Sequence, residues 1–231
     1  MLALENSTDE AVYKQLAAFN KLILQYTNPV FTPPRGTEAE HFHDWCMANF
    51  GDIQSEVRAH PSHGMPMAHV DDIQNAMLQG SEKWKVAWVK LFGQPIANPF
   101  PTLTRAVAKH PEVFNVMISR LEPGAVLPPH KGPFRGVLRY HLGLEVPEGG
   151  LGLEVNGHTY RWKQGVGITF DDTLWHRAWN NTPHDRVVIF ADVLRDLPAS
   201  LAERRDILLE DLTKSEGFAK IVGSIRGGTN E

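Results

Sequence analysis

The chain contains the stretch Val137-Leu138-Arg139-Tyr140-His141-Leu142-Gly143-Leu144, in which apolar and other residues alternate with a period of two. Successive side chains of a β-strand point to opposite faces, so Arg139 and His141 would share one face and the large apolar side chains the other. Burying a guanidinium without a partner is costly. The stretch therefore predicts a strand with an anionic group opposite Arg139.

Similar short runs, separated by turn residues, fill the chain from Val113 onward. The clearest turn is Asn156-Gly157, a dipeptide typical of two-residue hairpins. This pattern indicates a β-barrel or a β-sandwich. The predicted strands cover 113–121, 136–146, 151–155, 158–162, 166–170 and 186–193.

The residues on either side of these strands have helical periodicity. In the first part, apolar residues recur at steps of three and four, and we predict one helix over 81–92, where Trp84 and Trp88 lie four residues apart. Helical patterning returns over 200–225. We predict one domain of mainly β class with flanking helices (α+β): a mostly helical part (1–110) that packs on the barrel, a β core (111–195) and a helical C-terminal segment (196–231).

Composition narrows the classes of function. The net charge of −4 and the pI near 6.3 come without a basic run, so nucleic acid is not expected as a partner. Cys46 is the single cysteine, which fits a reducing compartment, and the start of the sequence lacks the features of a secretory signal, so we expect the cytoplasm. No window approaches the ~20 uncharged apolar residues of a membrane span, so stable membrane insertion is not expected. The sequence leaves the oligomeric state open.

A second arginine-bearing strand is predicted over 186–193. Alternation places Arg186, Val188, Phe190 and Asp192 on one face. If this face and that of Arg139 line one interior, two arginines converge there, which suits a small dicarboxylate. The alternative is that each arginine ends a strand in water or pairs with a nearby acid.

Two histidines are candidate metal ligands. His130 follows Pro128-Pro129, and His176 lies ten residues before Arg186. Neutral imidazole is a good ligand for iron(II), and a redox-active iron needs open positions for other ligands. A lone histidine would more simply be a surface or hydrogen-bonded residue, but the nearby arginine favours a metal site.

Several motifs together resemble the catalytic domain of the aspartyl/asparaginyl β-hydroxylase family. The resemblance covers about half the chain, from Trp84 to roughly Val193. The motifs that carry it are Ser119, Pro123-Gly124, His130-Lys131-Gly132-Pro133, Leu138 to Leu144, Phe170-Asp171-Asp172, His176, and Arg186 with the run to Asp192-Val193.

The resemblance implies a double-stranded β-helix, the jelly-roll core of cupin-like proteins. It implies that His130 and His176 bind iron(II), with O₂ and 2-oxoglutarate as cosubstrates. It further implies that Arg186 and Ser119 hold 2-oxoglutarate. The other residues that it places in this pocket are Trp84, Arg139 and His141.

The sequence departs from common patterns at two positions. Most iron(II) oxygenases of this kind have a carboxylate two residues after the first histidine, where this chain has Gly132; the glycine is usual in the resembled family. Asp172 is then a candidate for holding a water beside the iron. The family's peptide hydroxylases also have a substrate-binding arginine at the position of Val137, and Arg135 would replace it if the strand began early enough.

The resemblance implies hydroxylation of an unactivated carbon. We expect the β-carbon of an Asp- or Asn-like residue, in a free or carrier-bound amino acid or a short peptide. One alternative is hydroxylation of a fatty-acyl chain on a lipid, which is less expected because the sequence shows no membrane anchor. Another is a non-catalytic barrel that binds a metal or a small acid.

Overall fold

Two antiparallel sheets form the centre of the computed structural model of this chain, which describes residues 7–26 and 29–228. The helices of the described residues are Ser7–Leu22 (α1), Glu40–Ala48 (α2), Phe50–Ala59 (α3), Asp72–Leu78 (α4), Pro101–Lys109 (α5), Ala199–Thr213 (α6) and Glu216–Gly228 (α7), with a 3₁₀ turn at Met67–His69. The strands are Met65–Pro66 (β1), Trp84–Leu91 (β2), Gln94–Pro95 (β3), Val113–Leu121 (β4), Ala125–His130 (β5), Val137–Glu145 (β6), Leu151–Val155 (β7), His158–Tyr160 (β8), Gly167–Phe170 (β9), His176–Asn180 (β10) and Arg186–Leu194 (β11).

The strand order is that of a double-stranded β-helix. The larger sheet has the order β1-β2-β4-β11-β6-β9, with β3 paired to β2, and the smaller sheet has the order β5-β10-β7-β8. From β4 onward, consecutive strands alternate between the two sheets, except at the β7–β8 hairpin. This topology confirms the predicted jelly-roll core with flanking helices.

The predicted hairpin turn between β7 and β8 is confirmed. Asn156 and Gly157 both have positive φ, at 48° and 80°. A two-residue turn with both central residues in the left-handed region matches the twist of the strands that it joins. The local sequence therefore sets the register of this hairpin.

The helix predicted over 81–92 is wrong, because these residues form strand β2. Val86 lies opposite Ser119 of β4 in an antiparallel ladder. A spacing of four, as between Trp84 and Trp88, places side chains on one face of a strand as well as of a helix, since four is a multiple of two. Both faces of β2 are buried, so the run lacks the polar alternation that would have revealed it. The segment 1–110 thus adds β1–β3 to the larger sheet.

The two faces of the larger sheet have different roles. Val188 and Phe190 of β11 point towards the smaller sheet and belong to an apolar cluster that contains residues from both sheets. Their neighbours Ile189 and Ala191 point the other way, into a cluster shared with α2, α3 and α5. The alternation predicted for this strand is confirmed, and only its inner face can supply residues to a site between the sheets.

The first and last helices pack together beside the barrel. Leu16 and Phe19 of α1 share an apolar cluster with Leu208 and Leu209 of α6 and with Phe134, which precedes β6. The C-terminal segment contains two helices, α6 and α7. Within the described part of the chain, every helix is too short or too polar to cross a membrane.

Candidate active site

His130 and His176 lie side by side between the two sheets. His130 ends β5, His176 begins β10, and the two residues are direct partners in the ladder between these strands. Their ring centroids are 4.1 Å apart. Two residues that are distant in sequence are therefore positioned to bind one metal ion.

Neither of the strands that carry these histidines was among the strands predicted from sequence. Strand β5 contains Pro128 and Pro129, which cannot donate backbone hydrogen bonds and are normally excluded from sheets. The two prolines are tolerated because β5 is an edge strand of the smaller sheet. Strand β10 has only five residues. Its alternate side chains from His176 to Asn180 are buried, but the sequence of these five residues shows no matching alternation of apolar and polar side chains.

Both imidazoles have the tautomer that a metal ligand requires. The Nδ1 atom of His130 lies 2.8 Å from the carbonyl oxygen of Pro128, and that of His176 lies 2.9 Å from the carbonyl oxygen of Leu174. A carbonyl only accepts, so each Nδ1 carries the proton and each Nε2 keeps a lone pair for a metal. Burial lowers the pKa of both rings, and with the nearby His130 it lowers that of His176 to about 3. Both rings are neutral at pH 7.

The guanidinium of Arg186 is buried in the protein. Its side chain lies over the Trp162 ring, 4.5 Å from the centroid, and only 2% of the residue is exposed. Its Nη1 makes one long hydrogen bond, of 3.4 Å, to the carbonyl oxygen of Ser119, and its Nε is buried without a partner. No carboxylate of the described residues forms an ion pair with it. Burial lowers its pKa to about 9, yet the group stays charged at pH 7. An anionic ligand would relieve this cost.

Further hydrogen-bond donors surround Arg186. Trp84 donates its Nε1–H to the Ser119 hydroxyl oxygen at 3.0 Å, which leaves the hydroxyl proton available to a ligand. Trp162 donates to Nδ1 of His141 at 3.2 Å, so the proton of neutral His141 is on Nε2, which is buried without a partner. Burial, followed by the charge of Arg186, holds the pKa of His141 well below its usual value.

These side chains line one cavity between the sheets, which we call the inter-sheet chamber. Its donors suit a carboxylate, and its two imidazoles suit a transition metal. Trp162 was not predicted as a site residue, because only the fold places it against Arg186. The chamber is lined by Trp84, Ser119, Leu127, His130, Arg139, His141, Leu153, Trp162, Phe170, His176, Ala178, Arg186 and Phe190.

Arg139 also lines the chamber, but its charge is neutralised by the protein. Its Nε donates to Asp192 and its Nη2 donates to Asp172, both at 2.7 Å, and its guanidinium lies 3.9 Å from the centre of the Phe190 ring. The anionic group expected opposite Arg139 is thus a pair of carboxylates. The structure places Arg139 in the predicted pocket, with fewer free donors than Arg186.

Gly132 leaves room for the Asp172 carboxylate. A Cβ atom at position 132 would overlap that carboxylate, and the backbone N–H of Gly132 donates to the Asp172 carbonyl oxygen at 2.8 Å. Oδ1 of Asp172 is buried without a partner. Burial raises the pKa of this carboxyl to about 6, against the opposing effect of Arg139. Among the described residues, no group of three His, Cys, Asp or Glu side chains is arranged to hold a metal. The candidate metal ligands are therefore the imidazoles of His130 and His176.

Arg135 does not reach the chamber. Strand β6 begins at Val137, so the alternation of the strand does not extend to Arg135. Its guanidinium is instead 3.6 Å from Asp171, which also pairs with Arg195 at 3.0 Å. The substrate-binding role predicted for Arg135 requires an earlier strand start than the structure has.

The chain is similar in sequence to several known proteins. The family model for aspartyl/asparaginyl beta-hydroxylase matches residues 47–196. The chain is 40% identical over 120 residues to the ornithine lipid ester-linked acyl 2-hydroxylase of Rhizobium tropici, covering 50% of this chain and 43% of that protein. It is 33% identical over 78 residues to the aspartyl/asparaginyl beta-hydroxylase of Homo sapiens, covering 34% of this chain and 10% of that protein. The chain thus spans less than half the length of these relatives.

Among solved structures, a cupin domain of a transcriptional regulator from Enterobacter cloacae is similar to this chain, and the alignment covers 49% of this chain and 99% of that domain. The TM-score is 0.36 and the sequence identity is 14%. A likeness this weak adds nothing to the strand topology described above.

Proposed function

The chain belongs to the aspartyl/asparaginyl beta-hydroxylase family, and from that premise we propose that it is an iron(II)- and 2-oxoglutarate-dependent hydroxylase. The observation that carries the proposal is the state of Arg186, a buried cation that pairs with no carboxylate of the described residues and lines the same chamber as two imidazoles with free Nε2 atoms. A dicarboxylate that also binds a metal satisfies both features at once. A purely structural arginine would have an acid partner, as Arg139 has.

The chain's own groups suggest how the cosubstrate would be held. The carboxylate of 2-oxoglutarate that lies away from the metal would accept from Arg186 and from the Ser119 hydroxyl. Hydrogen bonds of this charge-assisted kind contribute about 1.5–3 kcal/mol. Trp84 orients Ser119, and Trp162 supports both Arg186 and His141. The His141 Nε2–H would be a further donor to an oxygen atom of the cosubstrate.

His130 and His176 would hold iron(II) through their Nε2 atoms. Iron(II), when bound, would supply the redox chemistry that couples O₂ and the oxidation of 2-oxoglutarate to the insertion of oxygen into a C–H bond. The free Oδ1 of Asp172 would accept a hydrogen bond from a water beside the metal. Phe170, Trp162 and Phe190 form apolar walls that limit access of bulk water to the chamber.

Two substrate classes remain candidates for the hydroxylated carbon. One is an Asp- or Asn-like residue in an amino acid or short peptide, as the name of the human relative suggests. The other is a fatty-acyl chain, as the name of the relative from Rhizobium tropici suggests. That relative has a higher sequence identity than the human one, and its match covers more of this chain. We propose a small-molecule or peptide-like partner rather than nucleic acid. The single, buried Cys46 suits a reducing compartment, and we propose the cytoplasm as the place of action.

Uncoupled turnover tests the proposal and separates an enzyme from a barrel that only binds. The full chain should convert 2-oxoglutarate to succinate without a prime substrate, and this conversion should require iron(II) and ascorbate. His176→Ala should abolish it, whereas the matched control His158→Ala, an exposed histidine outside the chamber, should leave it unchanged. Full activity of His176→Ala would contradict the assignment of this metal ligand.

A further inference from the structure

A second cavity adjoins the inter-sheet chamber. It has a volume of about 620 Å³ and lies among α1, the start of β6, and helices α6 and α7. We call it the helical cleft. Arg139 lines both cavities, and its partners Asp172 and Asp192 line the inner end of the helical cleft. The ion-paired Arg139 is therefore the boundary between the cleft and the two histidines.

The walls of the helical cleft are mainly apolar. They come from different elements, so the cleft depends on the packing of the helices against the barrel. The side chains concerned, all buried or half-buried, include Leu16, Phe114, Phe134, Leu212, Phe218 and Ile221.

Much of this wall lies outside the part of the chain that the family model matches. The chamber residues, from Trp84 to Phe190, all fall within residues 47–196. Leu16 lies before that range, and Leu212 and Phe218 lie after it. The chemistry is thus built from the family's shared segment, and the wall of the adjoining cleft is built from helices on both sides of it.

The charges in the helical cleft do not favour an anionic guest. Among the described residues that line it, the acids are Asp71, Asp72, Asp172 and Asp192, and the cations are Arg139 and Lys220. Arg139 is already paired with two of these acids, and Lys220 is exposed. Apart from Arg139 and its two partners, the charged side chains of the described residues that line the cleft are the acids Asp71 and Asp72 and the cation Lys220, so an acidic peptide would meet more negative than positive charge.

We propose that the helical cleft binds the aliphatic chain of a substrate whose head group is cationic or uncharged, with the chain directed towards Arg139 and the two histidines. This inference rests on the proposed function for the chemistry of the adjoining chamber. The residues on α1, α6 and α7 then select the substrate. Of the two substrate classes proposed above, the fatty-acyl chain is then favoured over an Asp-like residue in an acidic peptide.

Binding of simple alkyl probes tests the inference without turnover. Octyl, decyl and dodecyl trimethylammonium ions, below the concentrations at which they form micelles, would be titrated calorimetrically into the full chain. Each added methylene should tighten binding about fourfold, the factor that corresponds to ~0.8 kcal/mol per buried methylene. Alkyl sulfates of the same lengths should bind more weakly, and a short Asp-rich peptide should not displace the dodecyl probe.

Two substitutions in the same helix separate the cleft from non-specific adsorption. Leu212→Gln places a polar amide on the cleft wall and should weaken dodecyl binding by about tenfold or more. Ile207→Gln in α6, where Ile207 is 54% exposed and outside the cleft, should leave binding unchanged. Thermal unfolding of both variants checks that they are folded. Equal binding by the two variants, no dependence on chain length, or displacement by the peptide would overturn the inference.

The outcomes also separate this inference from the proposed function. Chain-length-dependent alkyl binding without uncoupled turnover of 2-oxoglutarate would support the cleft and overturn the proposed function. Turnover of 2-oxoglutarate without alkyl binding would support the proposed function and overturn the inference about the helical cleft.

Discussion

Arg139 and Arg186 lie on adjacent strands of one sheet and line one chamber, but their surroundings differ. Arg139 is held by two carboxylates, whereas no carboxylate in the described part of the chain pairs with Arg186, and its buried Nε has no partner there. A protein rarely buries a charge that it leaves unpaired, because desolvation costs several kcal/mol. The difference indicates that Arg139 is part of the scaffold that holds Asp172 in place, and that Arg186 is kept for a ligand.

The largest expected effect is the loss of stability on removing Arg139. Arg139→Gln leaves Asp172 without its cation, although Asp192 keeps a hydrogen bond from Asn115 at 2.8 Å. Breaking one side of a buried ion pair costs about 3–5 kcal/mol. Chemical denaturation should show a fall of this size in the free energy of unfolding. Arg177→Gln, which breaks a surface pair with Glu154, is the control and should cost less than about 1 kcal/mol.

Removing Arg186 should change the binding of 2-oxoglutarate and leave the stability of the fold almost unchanged. Arg186→Met breaks no ion pair, so the free energy of unfolding should stay within about 1 kcal/mol of the wild type or rise. The concentration of 2-oxoglutarate needed for half-maximal turnover should increase by about 10- to 100-fold, the range that corresponds to a lost charge-assisted contact. Steady-state kinetics with both substrates measures this. An equal rise in the requirement for the prime substrate would contradict the role of Arg186 in holding 2-oxoglutarate.

Gly132 tests whether the Arg139 side of the chamber is as closely packed as its contacts indicate. Gly132→Ala forces the Asp172 carboxylate away from its position and should lower the free energy of unfolding by about 1–3 kcal/mol. Gly51→Ala is the matched control, because nothing lies within 4 Å of the added methyl in helix α3. It should be neutral or stabilising, since alanine favours helices. An equally tolerated Gly132→Ala would show that the space is not restricted.

The smallest effect is expected from the indole that supports Ser119. Trp84→Phe keeps an aromatic ring but removes the 3.0 Å hydrogen bond to the Ser119 hydroxyl. The loss should be about 0.5–1.5 kcal/mol, seen as a severalfold weaker binding of 2-oxoglutarate. A loss as large as that of Arg186→Met would mean that Trp84, rather than Arg186, is the main anchor.

The sequence predicted the strands that bear the two arginines of this site better than the strands that bear its histidines. The alternation along β6 and β11 identified their inner faces because each strand is nine residues long. Strand β5 was hidden by Pro128-Pro129, and β2 was misassigned as a helix because two tryptophans four residues apart satisfy both periods. In each case the missing information was non-local: an edge position for β5 and burial on both faces for β2.

Besides the family resemblance from Trp84 to roughly Val193, what the sequence determined by itself was local geometry: the alternation along β6 and β11 and the turn at Asn156-Gly157. These features follow from backbone geometry and short spacings, which neighbouring residues fix. Only the tertiary structure decided which arginine is neutralised, because Asp192 and Asp172 reach Arg139 through strand pairing and a distant loop. It also decided that helices from both ends of the chain form a cleft beside the two histidines, since such contacts depend on packing that no local pattern records.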